Sequence, residues 1–366
     1  MKKLFVMKKR SAVVLTLALT LVLSSLSLAK VYGAKAIELD AKASITVGLA
    51  ESNTYEELKA NDIKVTFYQV ASVNESGEYT GNVDSFNAGI ISDKTTASEW
   101  NAMATEIAKD SKLSGCYRVE ATIQDGTDTT ASLETGKLGM YLMVVDPVET
   151  QEYTYEFSPA LIAVPGNNYY SYDANGNAVV TDEANDAWQY DVSAVLKPEY
   201  KDLYGNLVIN KTVDTFNTSL SGTSFVYKVT AYKDYSDVDA TLNGGNADGK
   251  LVYSNVVTID FSEAGTQQAV IEHIPAGAKV TVEEVYTGAT YKATSSTTAT
   301  TQIVKDGNND SVASVAFTNT YDDTLTGNGT AVVNHFTYTP NDDEMMGSWT
   351  WSSSAEIPVT EEVVEQ

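Results

Sequence analysis

Hydrophobic and polar residues alternate along most of this chain, in short runs separated by clusters of turn-forming residues. Alternating or continuous apolar runs rich in Val, Tyr and Ala occupy residues 63–73, 139–145 and 155–165. Clusters of Asn, Gly and Asp, such as residues 243–246 and 306–309, lie between such runs. A period of two with frequent turn clusters is typical of β-strands joined by loops. The pattern therefore predicts an all-β fold of the sandwich type.

One segment of the first half has the period of a helix instead. Residues 96–109 place Trp100, Met103, Ala104 and Ile107 on one helical face. We interpret this face as core packing and not as a functional site.

The N-terminus has the pattern of a secretory signal peptide. Residues 1–33 contain a basic stretch, then an apolar run, then small residues, in the order that export and cleavage require. An uncleaved membrane anchor is the alternative for this segment. Cleavage would place the mature protein outside the cytoplasmic membrane.

A Pro and a Gly turn within residues 188–206 mark the predicted domain boundary. We expect an N-terminal β-sandwich domain at residues 34–200 and a second β-sandwich domain at residues 201–323. A tail, residues 324–366, follows. Within it, residues 330–340 are a candidate strand, and the last 25 or so residues are expected to be poorly ordered because they are acidic and polar.

Charge and composition exclude several classes of function. The formal net charge is −25, and removal of residues 1–33, which hold six basic residues, leaves 18 basic against 49 acidic residues, or −31. Such a surface repels nucleic acid and anionic lipid, and no later segment is apolar enough to span a membrane. The single cysteine, Cys116, excludes an internal disulfide, and two histidines are too few for a His-rich metal site. We expect neither a cofactor nor a metal ion.

Three strands of the second domain each place one polar residue on an apolar face. Lys211 follows Leu207 and Ile209 with a period of two, Glu284 follows Val280 and Val282, and Asn319 lies between Phe317 and Tyr321. Burying an ammonium or a carboxylate costs several kcal/mol unless the group is paired, and a lone carboxamide costs about 1–3 kcal/mol. The three residues would offset these costs by converging.

Convergence would also permit a reaction. Burial lowers the pKa of an amine and raises that of a carboxyl group, which favours a neutral nucleophile beside a general acid. Attack of Lys211 on the carboxamide of Asn319 would expel ammonia and form an isopeptide bond, with Glu284 as the proton carrier. The alternative is that Lys211 reaches solvent at a strand end, Asn319 begins a turn and Glu284 lies at a solvated edge.

The stretches LVINKTV, IPAGAKVTVEE and VAFTNTY, which contain these three residues in this order, resemble the isopeptide domains of Gram-positive sortase-assembled pilins, such as streptococcal T-antigen major pilins. The resemblance implies immunoglobulin-like (Cna B-type) β-sandwiches. It also implies a bond between Lys211 and Asn319 with Glu284 as the catalytic residue. The stretches IKVTFYQVASV, YLMVVDP and YEFSPALIAVP resemble the first domain of such pilins more loosely.

The segment WQYDVSAVLK resembles the pilin motif, whose lysine accepts the next subunit. Trp188, Val192 and Lys197 keep the intervals of the motif, whereas residues 194–196 depart from its Val-Tyr-Pro segment. Lys197 is therefore either an acceptor or an ordinary solvated linker lysine. Residues 357–361, IPVTE, are all that corresponds to a Leu-Pro-x-Thr-Gly sorting motif, so we do not expect a normal sortase donor.

We therefore expect an exported structural subunit of a pilus or surface stalk, found at the cell surface or secreted, that is not an enzyme beyond one self-modifying turnover. Its expected partners are other pilin subunits and a sortase. The alternative is a secreted adhesin that contacts a host or glycan ligand through sandwich loops or through Trp349 and Trp351 in the tail. Two Trp with a period of two are as readily a short strand. No sequence motif supports a hydrolase.

Overall fold

The structure is a computed structural model, and it describes residues 36–50, 55–91, 95–167, 170–172, 178–180, 188–235, 240–307, 312–324, 332–339 and 348–355. Residues 1–33, which are predicted to be a signal peptide, and residues 357–361 lie outside this part of the chain. The contacts divide the chain into two compact units. The first comprises residues 1–150 and 154–201, and the second comprises residues 151–153 and 202–366.

Strands make up most of the regular structure in the described residues, so the predicted all-β fold class is confirmed. The strands of the first 202 residues are β1 (Ser44–Leu49), β2 (Ile63–Val73), β3 (Tyr79–Gly81), β4 (Arg118–Ile123), β5 (Thr129–Ser132), β6 (Gly139–Val145), β7 (Val148–Glu149), β8 (Tyr153–Glu156), β9 (Ala160–Val164), β10 (Gly166–Asn167), β11 (Tyr170–Tyr172), β12 (Ala178–Val180), β13 (Trp188–Gln189), β14 (Asp191–Leu196) and β15 (Glu199–Asp202). Those that follow are β16 (Tyr204–Val213), β17 (Thr223–Lys233), β18 (Lys250–Phe261), β19 (Gly265–Pro275), β20 (Lys279–Tyr286), β21 (Tyr291–Ala293), β22 (Thr298–Gln302), β23 (Ala313–Tyr321), β24 (Val332–Thr339) and β25 (Ser348–Ala355). The helices are α1 (Glu56–Lys59) and α2 (Ala97–Ile107), with short 3₁₀ turns at Ala88–Ile90, Leu113–Gly115 and Ala240–Asn243.

The first unit is assembled from several small sheets. The largest has the order β3-β2-β6-β9, with β4 also paired to β2, and a second has the order β14-β1-β5. The strands β15-β8-β7, β10-β13 and β11-β12 form further small sheets. The uniformly apolar run of β6 is buried along almost its whole length, as expected for a central strand.

The helix α2 forms where its sequence period predicts it. Thr96 caps its N-terminus by accepting from the backbone N–H of Glu99, while the Glu99 carboxylate accepts from the backbone N–H of Thr96. This capping box satisfies amide groups that a helix start otherwise leaves unpaired. Met103, Ala104 and Ile107 are buried in a core cluster of the first unit, and Trp100 packs against it partly buried, so this face is core as predicted.

The second unit contains a β-sandwich of two four-stranded sheets. One sheet has the order β19-β16-β23-β21 and the other has the order β18-β17-β20-β22. The neighbours β16 and β23 are parallel, whereas β17 pairs antiparallel with β18 and β20. Apolar residues at alternate positions of both sheets form one buried cluster, which includes Leu207, Phe225, Tyr227, Val282 and Phe317.

Two strands follow the sandwich in the tail. The expected strand within residues 330–340 is β24, and it pairs antiparallel with β25. The strand β25 lies within the last 25 or so residues, which were expected to be poorly ordered, and it agrees with the short strand allowed for the two Trp. Its Trp and Thr residues favour a strand despite the acidic flanks. Trp349 and Trp351 lie on β25, opposite Tyr338 and Phe336. Across the described residues, no helix is long and apolar enough to cross a membrane.

Candidate functional site

Three polar residues predicted to face inward lie together between the two sheets of the sandwich. Lys211 is on β16, Asn319 is on β23 and Glu284 is on β20. Their exposed fractions are 0%, 0% and 5%, although each residue carries a polar or charged side chain. None of them lies at a solvated edge or in a turn, which were the alternatives for these positions.

Lys211 and Asn319 are neighbours because of the register of a parallel strand pair. In the ladder between β16 and β23, Lys211 is opposite Phe317, two positions before Asn319. Residues two apart in a strand share a face, so both polar side chains enter the core from the same sheet. The backbone carbonyl of Asn319 accepts a hydrogen bond of 2.9 Å from the N–H of Asp214, which fixes the position of this residue.

Glu284 comes from the opposite sheet and joins the other two groups. Its Oε1 atom accepts from Lys211 Nζ at 2.6 Å and from Asn319 Nδ2 at 2.9 Å. Asn319 Nδ2 also donates to the backbone carbonyl of Thr287 at 3.2 Å. One carboxylate oxygen therefore holds the amine and the carboxamide side by side.

Aromatic rings surround the amine and exclude water from it. Lys211 Nζ lies 4.3 Å from the ring centroid of Phe225 and 5.9 Å from that of Tyr227. The Tyr227 ring in turn packs against Phe317, with centroids 5.0 Å apart. These rings provide weak cation–π attraction but replace the hydration of the ammonium with apolar surface.

Burial lowers the pKa of Lys211, and the hydrogen bond to Glu284 and the charge of Glu284 oppose this effect only in part. A lower pKa increases the fraction of neutral amine, which is the nucleophilic form. Burial, followed by the charge of Glu284, raises the pKa of Tyr227. The Tyr227 hydroxyl therefore keeps its proton and donates to Glu284 Oε1 at 3.3 Å.

Two oxygens of this site are buried without a hydrogen-bond partner in the described part of the chain, Glu284 Oε2 and Asn319 Oδ1. An unpaired buried polar atom costs about 1–3 kcal/mol, so a purely structural network would be expected to satisfy both. The carboxamide carbon next to the unpaired Oδ1 is the atom that an amine would attack. The site thus brings an amine and a carboxamide to the same carboxylate oxygen, and these are the groups that an acyl transfer requires.

Sequence reasoning did not assign a role to the side chains around the three polar groups. Phe225 and Tyr227 occupy inward positions of β17, and Tyr227 is opposite Glu284 in the ladder between β17 and β20. The alternation in the segment SFVYKV would have placed both on the inner face. Their proximity to Lys211 depends on the pairing of the sheets, which no local pattern specifies.

The three residues that resemble the pilin motif lie in the first unit. Trp188 is partly buried on β13, and Val192 is buried on β14 opposite Ile45 of β1. Lys197 follows β14, is exposed and precedes the buried Pro198. The structure therefore leaves both interpretations of Lys197 open, because an acceptor and a solvated linker lysine are equally exposed.

Two lysines of the first unit, Lys42 and Lys64, lie in runs whose sequence resembles a strand, but neither belongs to a buried polar cluster in the described residues. Lys42 and Lys64 are both exposed, so neither occupies a buried environment like that of Lys211. The tail residues Trp349 and Trp351 lie on β25. Their role as ligand contacts stays a hypothesis.

A family model for a domain of unknown function, DUF7601, matches residues 205–321. This segment begins just after the start of β16 and ends with β23, so it contains Lys211, Glu284 and Asn319. The family match thus covers the sandwich of the second unit and carries no description of its activity. No curated protein matches the chain significantly.

Solved structures similar to this chain are pilins of Gram-positive bacteria. The major pilin of Streptococcus pyogenes is 12% identical, with 78% of this chain and 99% of that chain covered and a TM-score of 0.24. The shaft pilin SpaA of Lactobacillus rhamnosus GG is 12% identical, with 77% and 99% covered and a TM-score of 0.25. The minor pilin of Streptococcus agalactiae is 11% identical, with 76% and 96% covered and a TM-score of 0.20.

The predicted resemblance to Gram-positive pilins is confirmed by this comparison. At these TM-scores the likeness carries no functional conclusion of its own. The function of this chain has to be inferred from its buried cluster.

Proposed function

We propose that this chain is an exported structural subunit of a pilus or surface stalk, stabilised by an isopeptide bond that it forms itself between Lys211 and Asn319. The single observation that carries this proposal is the contact of Lys211 Nζ and Asn319 Nδ2 with the same oxygen of Glu284, in a site closed to solvent. The pilin names of the similar solved structures agree with this role. The cell-surface location and the export signal belong to the same proposal.

The reaction follows from the positions of the groups. Neutral Lys211 Nζ attacks the Cγ atom of Asn319, so a C–N bond forms while the bond from Cγ to Nδ2 breaks. Glu284 takes a proton from the attacking amine and transfers it to the departing nitrogen, which leaves as ammonia. The product is a neutral secondary amide, so the core no longer contains an amine that can carry a charge.

Glu284 is the residue proposed to act catalytically, because it contacts both reacting groups. Tyr227 is proposed to position it, since the hydroxyl donates to Oε1 and stays protonated. The reaction occurs once per chain, so the protein does not turn over a substrate. The alternative of an adhesin gains no specific support from the described residues.

Intact mass spectrometry of the denatured full chain tests the proposal. Bond formation removes one ammonia, so the site should lower the mass by about 17 Da relative to the sequence. Glu284→Ala should abolish this loss because the proton carrier is gone, and Asn319→Ala should abolish it because the electrophile is gone.

Glu283→Ala is the matched control, since Glu283 is the adjacent carboxylate of β20 and faces away from the core. It should keep the loss of about 17 Da. A wild-type chain without this loss, or a Glu284→Ala chain that retains it, would contradict the proposed bond.

A further inference from the structure

A second lysine is buried in the same unit and has no role in the proposed reaction. Lys233 ends the inward row of β17 after Val229 and Ala231, and its exposed fraction is 0%. Among the described residues, Lys211 and Lys233 are the two lysines that are buried. Burial of an ammonium costs several kcal/mol unless it is paired or consumed, so Lys233 requires its own explanation.

Two carboxyl groups contact this amine. Lys233 Nζ lies 2.7 Å from Asp202 Oδ1 and 3.6 Å from Glu152 Oε2. The other oxygen of Asp202, Oδ2, accepts a hydrogen bond of 3.1 Å from the hydroxyl of Tyr235. All four residues belong to the second unit.

Aromatic rings close this site as they do around Lys211. Lys233 Nζ lies 3.9 Å from the ring centroid of Tyr153 and 5.4 Å from that of Tyr235. The side chain of Lys233 is 1% exposed, whereas those of Asp202 and Glu152 are 21% and 30% exposed. The amine is therefore dry, and the carboxyl groups retain a path to solvent.

Both lysine sites contain a buried amine, a side chain with an acyl carbon, a carboxyl group that could carry a proton, and aromatic walls. We propose that Lys233 and Asp202 form a second isopeptide bond, with Glu152 as the proton carrier. This inference does not depend on the bond between Lys211 and Asn319. It differs in its leaving group, because an aspartate loses water where an asparagine loses ammonia.

The condensation balances without any other reactant. Lys233 Nζ forms a bond to the Cγ atom of Asp202, the bond from Cγ to Oδ1 breaks, and Oδ1 leaves as water. Lys233 first passes one proton to the Asp202 carboxylate at Oδ1, so that a neutral amine faces a carboxylic acid. Glu152 then accepts a second proton from the amine and returns it to the departing hydroxyl, which completes the water. The Tyr235 hydroxyl holds Oδ2, which becomes the carbonyl oxygen of the amide. An ammonium and a carboxylate are thereby replaced by one neutral amide.

The position of this bond complements the first one. Asp202 lies just before the start of β16, whereas Lys211 is near the end of the same strand. Asp202 and Lys233 are 31 positions apart. The two bonds would therefore secure opposite ends of β16, the first to β23 of its own sheet and the second to β17 of the facing sheet.

Intact mass spectrometry of the denatured full chain also tests this inference. The wild type should lose one water, about 18 Da, in addition to the ammonia of the first site. Lys233→Met and Glu152→Gln should each restore the water and keep the loss of about 17 Da, which shows that the sandwich has folded. A protease digest of the wild type should contain a peptide that joins the segments around residues 202 and 233.

The outcomes separate the two proposals. A wild type that loses only ammonia overturns the second bond and leaves the first intact. A loss of water that persists in Lys233→Met also overturns it, because the dehydration then lies elsewhere. A wild type that loses only water, removed by Lys233→Met, supports the second bond and overturns the first.

Discussion

At the scale of single residues, the proposed reaction depends on which ionisable side chains are buried away from water. Lys211 is surrounded by Phe225 and Tyr227, and burial lowers its pKa. The same lysine on the surface would be protonated at neutral pH and unreactive. The proposed reactivity of Lys211 is therefore a property of the surroundings of its amine.

This effect predicts a pH dependence of stability in a chain that cannot form the first bond. In Glu284→Gln, the two influences that raise the pKa of Lys211 are lost, and burial alone lowers it below the ordinary value of 10.5. The unfolded chain then binds the proton more tightly than the folded chain. The free energy of unfolding should therefore rise with pH between the lowered pKa and about 10.5, by at most about 1.4 kcal/mol per pH unit.

Denaturant unfolding of Glu284→Gln from pH 7 to 10 measures this slope. The double variant Glu284→Gln with Lys211→Met is the control, since it has the same core but no amine at this position. The difference between the two curves should increase with pH. Curves that stay parallel would show that Lys211 titrates normally in the folded chain.

At the scale of elements, two strands that lie far apart in sequence are adjacent in space. β16 and β23 form the parallel pair that places Lys211 beside Asn319. These residues are 108 positions apart, so a bond between them closes most of the sandwich into one loop. Constraint of the unfolded chain by a loop of this length contributes about 5 kcal/mol on the model used for disulfides.

Prevention of the bond should therefore destabilise the second unit strongly. Asn319→Ala is expected to lower its free energy of unfolding by about 5 kcal/mol, measured by denaturant unfolding. Ser314→Ala is a suitable control because Ser314 is exposed on the outer face of β23, and it should change stability by no more than about 0.5 kcal/mol. Equal stabilities of Asn319→Ala and the wild type would rule out a large contribution from loop closure.

The alternation of polar and apolar residues along the strands explains which residues of the site the sequence could predict. Alternation placed Lys211, Glu284 and Asn319 on inner faces, because burial of one face imposes a period of two whatever the partner strands are. The same period of two continues along β17 to Lys233, so the sequence alone could have predicted that this lysine is buried. The sequence could not have predicted its partners Asp202 and Glu152, since they lie outside the sandwich strands and carry no periodic signal.

At the scale of the whole molecule, the contacts divide the chain into two units after residue 201. The second unit also includes residues 151–153, which no composition change marks. Two Trp with a period of two also allowed a short strand in the tail, but the pairing of this strand, β25, with β24 has no local signal. The sequence pattern does not show which distant strands pair with each other.

Lys197 could support the assembly of subunits into a polymer, which is a property of the whole molecule. Its exposed amine follows β14, so a second subunit could reach it. If Lys197 accepts the next subunit, denaturing gels of the surface fraction of the native cells should show a ladder of covalently joined chains. Lys197→Arg should abolish the ladder, because arginine keeps the charge but is not an acceptor amine.

Lys201→Arg is the matched control for assembly, since Lys201 is a nearby lysine that is 61% exposed and paired with Glu156. It should leave the ladder unchanged. A ladder that survives Lys197→Arg would assign assembly to another residue.

The parallel arrangement of β16 and β23 has a mechanical consequence. The chain comes into the sandwich along one strand and leaves it along a neighbour that runs in the same direction. Tension applied to the two ends therefore loads the ladder of hydrogen bonds between these strands in shear, and a bond between Lys211 and Asn319 would stop the strands from sliding. Strands that are sheared in this way resist separation better than strands that are peeled apart bond by bond.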